Sequence, residues 1–419
     1  MTTNTARDTA QNRWFRQSDL VCGLIGAAWG VSASVTVTVA LALMTGAAVA
    51  PVIWVAVVTG IVAGVYILRM KTRIEGIALV VSGTTVYLLL YLALTGLEPF
   101  SLPLEQHTLS QSTAFVFAAL FTVWPLSRML GEAPMGWMDR HEFEDALIHF
   151  FYWFGYLFFI IIVAVPFYVM VMTSLKSQQA LLANPLDFSI DFDKGFGLFR
   201  SYVELFEQFN FGSYLLTSFS VSVATVFITL LFSVPGAYAV ARLRFRGQAA
   251  MSRSILLIYM VPMIVLALPI YIGFSMLGLR NSLFGILMIY PVTTIPVALY
   301  MLQGYFRGLP AEIEEAGLMD GLSRLKVIWK ITLPLSLPAM ASVSLYVFMI
   351  AWNEFLLAFM LLDDPSKFTL TRGVAMLNSS EIPRQHLMAG AVIATVPIML
   401  IFLGLERFMV KGLTAGSVK

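Results

Sequence analysis

Ten long apolar runs punctuate the chain, at residues 20–44, 49–68, 77–97, 112–130, 150–174, 214–240, 254–277, 282–304, 336–362 and 388–408. Each is long enough for an α-helix to cross a hydrocarbon core, which takes ~18 or more apolar residues. A chain in lipid must also satisfy its backbone polar groups internally. The pattern therefore predicts an all-α integral membrane protein with about ten transmembrane helices. Ala48-Val49-Ala50 could pass for a secretory cleavage site, but the apolar run before it exceeds the ~7–15 residues of a signal sequence and is read as a retained span.

Two connections between the runs are long. Gly131 to His149 is polar and partly acidic, with Asp139, Glu142, Glu144 and Asp145 read as the solvated face of a short helix. Residues 175–213 are numerous enough to carry their own structure, and Val203-Glu204-Leu205-Phe206-Glu207 reads as a short surface helix.

The connection between the eighth and ninth runs has the most legible pattern. Pro310 suits the first turn of a helix, and Glu312, Glu314 and Glu315 follow where carboxylates favour the positive end of the helix dipole. Gly321 ends that helix, and a second amphipathic run sets Leu322, Leu325, Ile328 and Trp329 against Arg324, Lys326 and Lys330. A helix-elbow-helix is expected. On its first limb Ile313, Ala316, Gly317 and Asp320 fall at i, i+3, i+4 and i+7, a face almost bare of bulk with Glu312 and Glu315 along its edge. Such a face suits close packing by another protein.

Composition agrees with the membrane reading: 59% of the 419 residues are hydrophobic and 12% charged. A net charge of +2 argues for no nucleic-acid partner. Cys22 is the single cysteine, and His107, His141, His149 and His386 are scattered without ligand spacing, so no metal site is expected. Basic residues decide orientation. With the N-terminus in the cytoplasm, nineteen of the 26 Lys and Arg fall in cytoplasmic segments, which puts both termini and the Glu315 loop on that side. No Gly-Lys dipeptide occurs, so the phosphate-cradling G-x-x-x-x-G-K-[ST] loop is absent and the chain is expected not to hydrolyse ATP.

The order Glu315-Ala316-Gly317, three residues, Gly321, nine residues, Ile331, one residue, Leu333-Pro334 resembles the cytoplasmic coupling loop of ABC-type importer permeases, with Gly317 where the family has Ala. Val234-Pro235-Gly236-Ala237-Tyr238-Ala239, Trp352-Asn353-Glu354-Phe355, and the ending from Leu405-Glu406-Arg407-Phe408 to Lys419 are similar to stretches of the maltose-type carbohydrate importers. The resemblance implies a six-span permease core over 146–419, with its coupling loop at 308–334, behind an extra four-span block at 1–145 of unassigned role. It further implies a bacterial inner-membrane location, transport of a sugar or oligosaccharide of maltose or α-glucoside type, and no cofactor on this chain. ATP and Mg would be held by a cytoplasmic ATPase dimer. The other implied partners are a second permease subunit and a periplasmic solute-binding protein, besides the bilayer itself. Glu312, Glu315, Ala316, Gly317, Asp320 and Gly321 would meet the ATPase, and the tail with Lys411, Thr414 and Gly416 would reach toward it.

Glu354 is the carboxylate placed deepest in a core run, about 27 Å along a helix from Ser336. Asn353 and Glu354 either border the solute pathway or its gate, or hydrogen-bond to a neighbouring helix or subunit. Pro262, Pro269, Pro291 and Pro296 interrupt the seventh and eighth runs, as bends around a route or as packing kinks. Trp14, Trp137 and Trp153 suit interfacial anchoring. Two other classes compete. An ion-coupled secondary transporter would place ionisable groups near the midplane, where only Glu354 comes close. A membrane-embedded transferase or hydrolase would need a cluster such as Asp139, Glu142, Glu144 and Asp145.

Overall fold

A computed structural model describes residues 16–96, 98–101, 108–184, 187, 189, 192–379 and 381–414. Trp14 and Gly416 therefore lie outside the described residues. Among those described the fold is helical, with an isolated bridge between Gln17 and Trp137 and no strand. Among the described residues nine helices are long and apolar enough to cross a membrane. Packing divides the chain into two compact units, residues 1–195 and 196–419.

The first unit comprises α1 (Ser18–Thr45), α2 (Ile53–Met70), α3 (Ile77–Thr95), α4 (Thr108–Met129), α5 (Arg140–Ser174) and the short α6 (Gln178–Ala183). Without a hydrophobic drive between helices in lipid, small residues set how close two backbones come. A Cβ added to Gly26 would stand 2.2 Å from the Gly60 carbonyl oxygen, and one on Gly64 the same distance from that of Cys22, so α1 and α2 touch backbone to backbone. Trp29, buried beside them, donates from Nε1 to the Phe121 carbonyl of α4 at 3.1 Å. Buried hydroxyls turn back on their own helices: Thr38 to Ser34, Thr59 to Val55, Thr122 to Ala118.

The acidic connection is not a separate short helix. Asp139 and Glu142 form a capping box that starts α5 itself, while Arg140–Glu144 and His141–Asp145 pair one turn apart along it. Those carboxylates cap and solvate a helix end. From there α5 runs 35 residues, and only 6% of its apolar window is buried. Beyond it, Lys176 Nζ meets Asp187 at 2.7 Å; that ammonium and the Ser189 hydroxyl hold the Asp187 carboxyl down to about 2.

The second unit contains α7 (Arg200–Gln208), α8 (Phe211–Arg242), α9 (Gln248–Tyr259), α10 (Met263–Met276), α11 (Leu283–Gly308), α12 (Ala311–Met319), α13 (Arg324–Asn353), α14 (Leu356–Leu361), α15 (Leu370–Met376) and α16 (Arg384–Thr414). Its axis is α8, packed on α11 and α13. One face of α8 buries Ser218, Ser222, Thr225, Thr229 and Ser233, and Thr229 Oγ1 lies 2.6 Å from Thr294 Oγ1 of α11.

Two apolar runs differ from their expected single spans. The seventh is divided, α9 ending at Tyr259 and α10 starting after Pro262, which cannot donate into a continuing helix. The ninth ends at Asn353, and Phe355 leads into the six-residue α14. Pro291 and Pro296, by contrast, sit inside an unbroken α11.

Candidate functional site: the α12 elbow

Helix α12 begins after Pro310, whose φ of −58° already suits a helix start, with Glu312 and Glu314 in its first turn. It ends in a Schellman motif: Leu322 N–H donates to the Gly317 carbonyl and Gly321 N–H to that of Leu318, both at 3.1 Å. Gly321 holds φ +80°, while a Cβ there would meet nothing within 4 Å. The glycine is required by the backbone, not by space.

The second limb is not a separate helix. It starts at Arg324 and continues into the membrane as α13, 30 residues to Asn353. Within it Ile328–Thr332 form a π turn, closed by the Leu333 N–H on the Ile328 carbonyl. Pro334, which lacks an N–H and would crowd the carbonyl four residues back, accounts for the widened turn. A displacement of α12 therefore reaches a membrane helix through only the tight turn at Asp320–Ser323.

Glu312, Ala316 and Asp320 are exposed on the elbow together with Glu315, and Ile313 joins them. Gly317 does not. It is buried against the second limb, where an added Cβ would come within 2.6 Å of Ile331 Cδ1 and 3.3 Å of Val327 Cγ2. Its smallness closes the elbow instead of smoothing the outer face. A residue that the pattern left unassigned holds the loop in place. Glu314 accepts from Tyr238 Oη at 3.1 Å and Thr332 Oγ1 at 2.9 Å, and lies 3.7 Å from Arg242 Nε, both charged side chains being almost nine-tenths buried. Arg242 also donates to the Leu309 carbonyl. Glu314 and Arg242 thus tie α12 to the end of α8. Beside them Arg244, Arg324, Gln248 and Glu315 help line an open groove of about 1100 Å³.

Glu354 stands at the break after α13 and not inside a helix. Its carboxylate accepts from the first-turn amides of α14, Leu357 N–H at 3.0 Å and Ala358 N–H at 3.2 Å, while its own carbonyl accepts from Thr371 Oγ1 at 2.7 Å. Asn353 is exposed and donates to the Met349 carbonyl. Near the C-terminus, Lys411 and Thr414 fall in the last turns of α16, with their side chains outside what is described.

Comparison with known proteins bears on the part of the second unit that carries the elbow. Residues 233–414 match the family described as binding-protein-dependent transport system inner membrane component. The chain is 35% identical over 269 residues to the inner membrane ABC transporter permease protein YcjP of Escherichia coli, covering 63% of this chain and 94% of that protein. It is 31% identical to the trehalose/maltose transport system permease protein MalG of Thermococcus litoralis, covering 66% of this chain and 99% of the relative. A crystal structure of a bacterial ABC transporter involved in the import of the acidic polysaccharide alginate contains a chain of similar fold, with a TM-score of 0.54, 23% identity and coverage of 65% and 98%. The family match spans the elbow, α13 and the end of α8, and no observation now supports an ion-coupled carrier. The chain belongs to the binding-protein-dependent transport system inner membrane component family, the permeases of ABC importers.

Proposed function

We propose that this chain is one permease subunit of a bacterial importer for a sugar or oligosaccharide, with both termini and the α12 elbow in the cytoplasm. The substrate class follows from relatives named for trehalose/maltose, diacetylchitobiose and arabinooligosaccharide transport. A cytoplasmic ATPase dimer would bind ATP and Mg and receive α12 in a surface groove. A second permease subunit would complete the membrane route, and a periplasmic solute-binding protein would deliver the sugar. The chain itself makes and breaks no bond.

The observation that carries this reading is the construction of the elbow. Its exposed side offers Ile313, Ala316 and the carboxylates of Glu312, Glu315 and Asp320, while its other side is latched by Glu314 to α8 and continuous with α13. An element free on one side and fixed on the other moves with whatever grips it. Closure of the ATPase dimer would then displace α8 and α13 together and switch access across the membrane.

Two substitutions test it. In Glu315→Ala an interfacial charge partner is left unpaired, at a cost on the order of 2–5 kcal/mol. In Gly321→Leu the left-handed backbone becomes unfavourable by about 1–2 kcal/mol. Neither touches a membrane span. Both variants should insert normally yet retain less ATPase in the purified complex, or hydrolyse ATP without matching sugar uptake. Wild-type values for ATPase content, binding-protein-stimulated hydrolysis and uptake in both would refute the role of the elbow.

A further inference from the structure

A second amphipathic element lies at the other end of α8. That helix runs 32 residues, about 48 Å, from Phe211 to the Arg242 that meets the elbow. Helix α7 therefore sits at the opposite membrane face. Its nine residues and the turn before it divide into three sectors around the axis. Ser201 and Leu205 are buried in the unit's own core. Arg200, Glu204 and Glu207 form a charged sector, in which Glu204 pairs with Arg200 and with His386 of α16, each at 2.7 Å. The remaining sector holds Phe196, Phe199, Val203 and Phe206, at steps of three, four and three residues, and these stay 49% to 95% exposed.

A helix that only faced water would have no use for that third sector. A helix at a corner where protein, water and hydrocarbon meet needs all three. The sector also continues an exposed apolar surface of the membrane helix α8. Phe206 Cδ1 lies 3.5 Å from where a Cβ on Gly212 would stand, and from Gly212 the exposed face of α8 proceeds through Leu216, Phe219, Phe227 and Leu231. We infer that α7 is an interfacial anchor, with its Phe196, Phe199, Val203 and Phe206 side set into the acyl boundary of the leaflet opposite the elbow.

This consequence is independent of which sugar is carried. The Glu204–His386 pair joins α7 to the first turn of α16, so the anchor fixes that end of α16 relative to the membrane surface.

The experiment uses the full chain with its partner subunits in vesicles of phosphatidylethanolamine and phosphatidylglycerol. Cys22 is buried and is the chain's single cysteine, so Cys22→Ala leaves a background for one nitroxide label at a time. Labels go on Phe199→Cys, Val203→Cys and Phe206→Cys, with Glu207→Cys as the water-facing reference. Power saturation should show collision with dissolved oxygen relative to a water-soluble nickel chelate several-fold higher at the first three positions than at Glu207. Equal ratios at all four positions would overturn the anchor. So would nickel access at Val203 that disappears only when the solute-binding protein is added, since the sector would then be a protein-docking surface. Three independent positions keep the result readable if one variant fails to assemble.

Discussion

Glu314 and Glu315 are neighbours whose side chains leave the helix about 100° apart, and that step separates their roles. Glu315 is exposed at the rim of the elbow, whereas Glu314 turns inward to Tyr238, Thr332 and Arg242. Removing the inner carboxylate leaves two hydroxyl donors without their acceptor and a largely buried guanidinium without its counter-charge. Glu314→Ala should therefore loosen the loop by about 2–3 kcal/mol, speeding amide hydrogen exchange over residues 309–322 on the order of 100-fold. Glu314→Gln keeps an acceptor for one of the Tyr238 and Thr332 hydroxyls and should fall between, while Glu315→Ala should leave exchange in the isolated chain unchanged. Unaltered exchange in Glu314→Ala would mean that the latch holds nothing. The sequence pattern was legible for Gly321, because a glycine ending a periodic helix has one common geometric reason. It misled at Gly317 and was silent on Glu314, because helical spacing says which residues share a face but not which way that face turns. The inward side of α12 is set by Ile331 and Val327 from the second limb and by Tyr238 from α8, contacts that no local period encodes.

At the scale of elements, apolar runs located the membrane helices well and their interruptions poorly. Hydropathy integrates over a window, so a break whose flanks stay apolar is invisible to it. The run 336–362 continues through Phe355 and Leu356, yet the helix stops at Asn353 because Glu354 offers its carboxylate to the next helix's first amides. Proline was an uneven guide for the same reason: Pro262 divides the seventh run, while Pro291 and Pro296 leave α11 intact. The role of Glu354 changes accordingly. An acceptor, not a charge, is what the start of α14 requires, and losing such a cap costs about 1 kcal/mol. Glu354→Ala should accelerate exchange at Leu357 and Ala358 and reduce uptake, whereas Glu354→Gln, which retains a side-chain oxygen, should preserve most of both. Loss of uptake in Glu354→Gln with the α14 amides still protected would instead assign the charge to the solute route.

For the whole molecule the open issue is what the first four membrane helices contribute. The curated relatives are covered almost end to end by about two thirds of this chain, and we propose that α1 to α4 are an addition to the importer core. Helix α5 belongs to the same compact unit as those four, so the proposed addition would end before the packing boundary. Its attachments there can be named: Tyr168 Oη donates to the Leu43 carbonyl of α1 at 3.1 Å, Trp153 meets Trp29 edge-on at 6.5 Å, and Ile160, Ala164 and Val165 face Val35, Val39 and Leu43 across an apolar cleft of about 340 Å³. Most of this is apolar surface, which lipid tails replace at little cost. The capping box that starts α5 is complete within Asp139 and Glu142 and needs nothing upstream. A chain beginning near Gly136 should therefore still insert, start α5 at the same residue and co-purify with its ATPase and second permease subunit. Its thermal unfolding should be lowered by a few degrees, through the loss of the part-buried Tyr168 hydroxyl bond, the Trp153 contacts with Trp29 and Trp124, and the Gln17–Trp137 bridge. If the truncated chain instead loses the ATPase while remaining in the membrane, the four helices hold α5 in the position the assembly needs, and the block is a structural part of the importer.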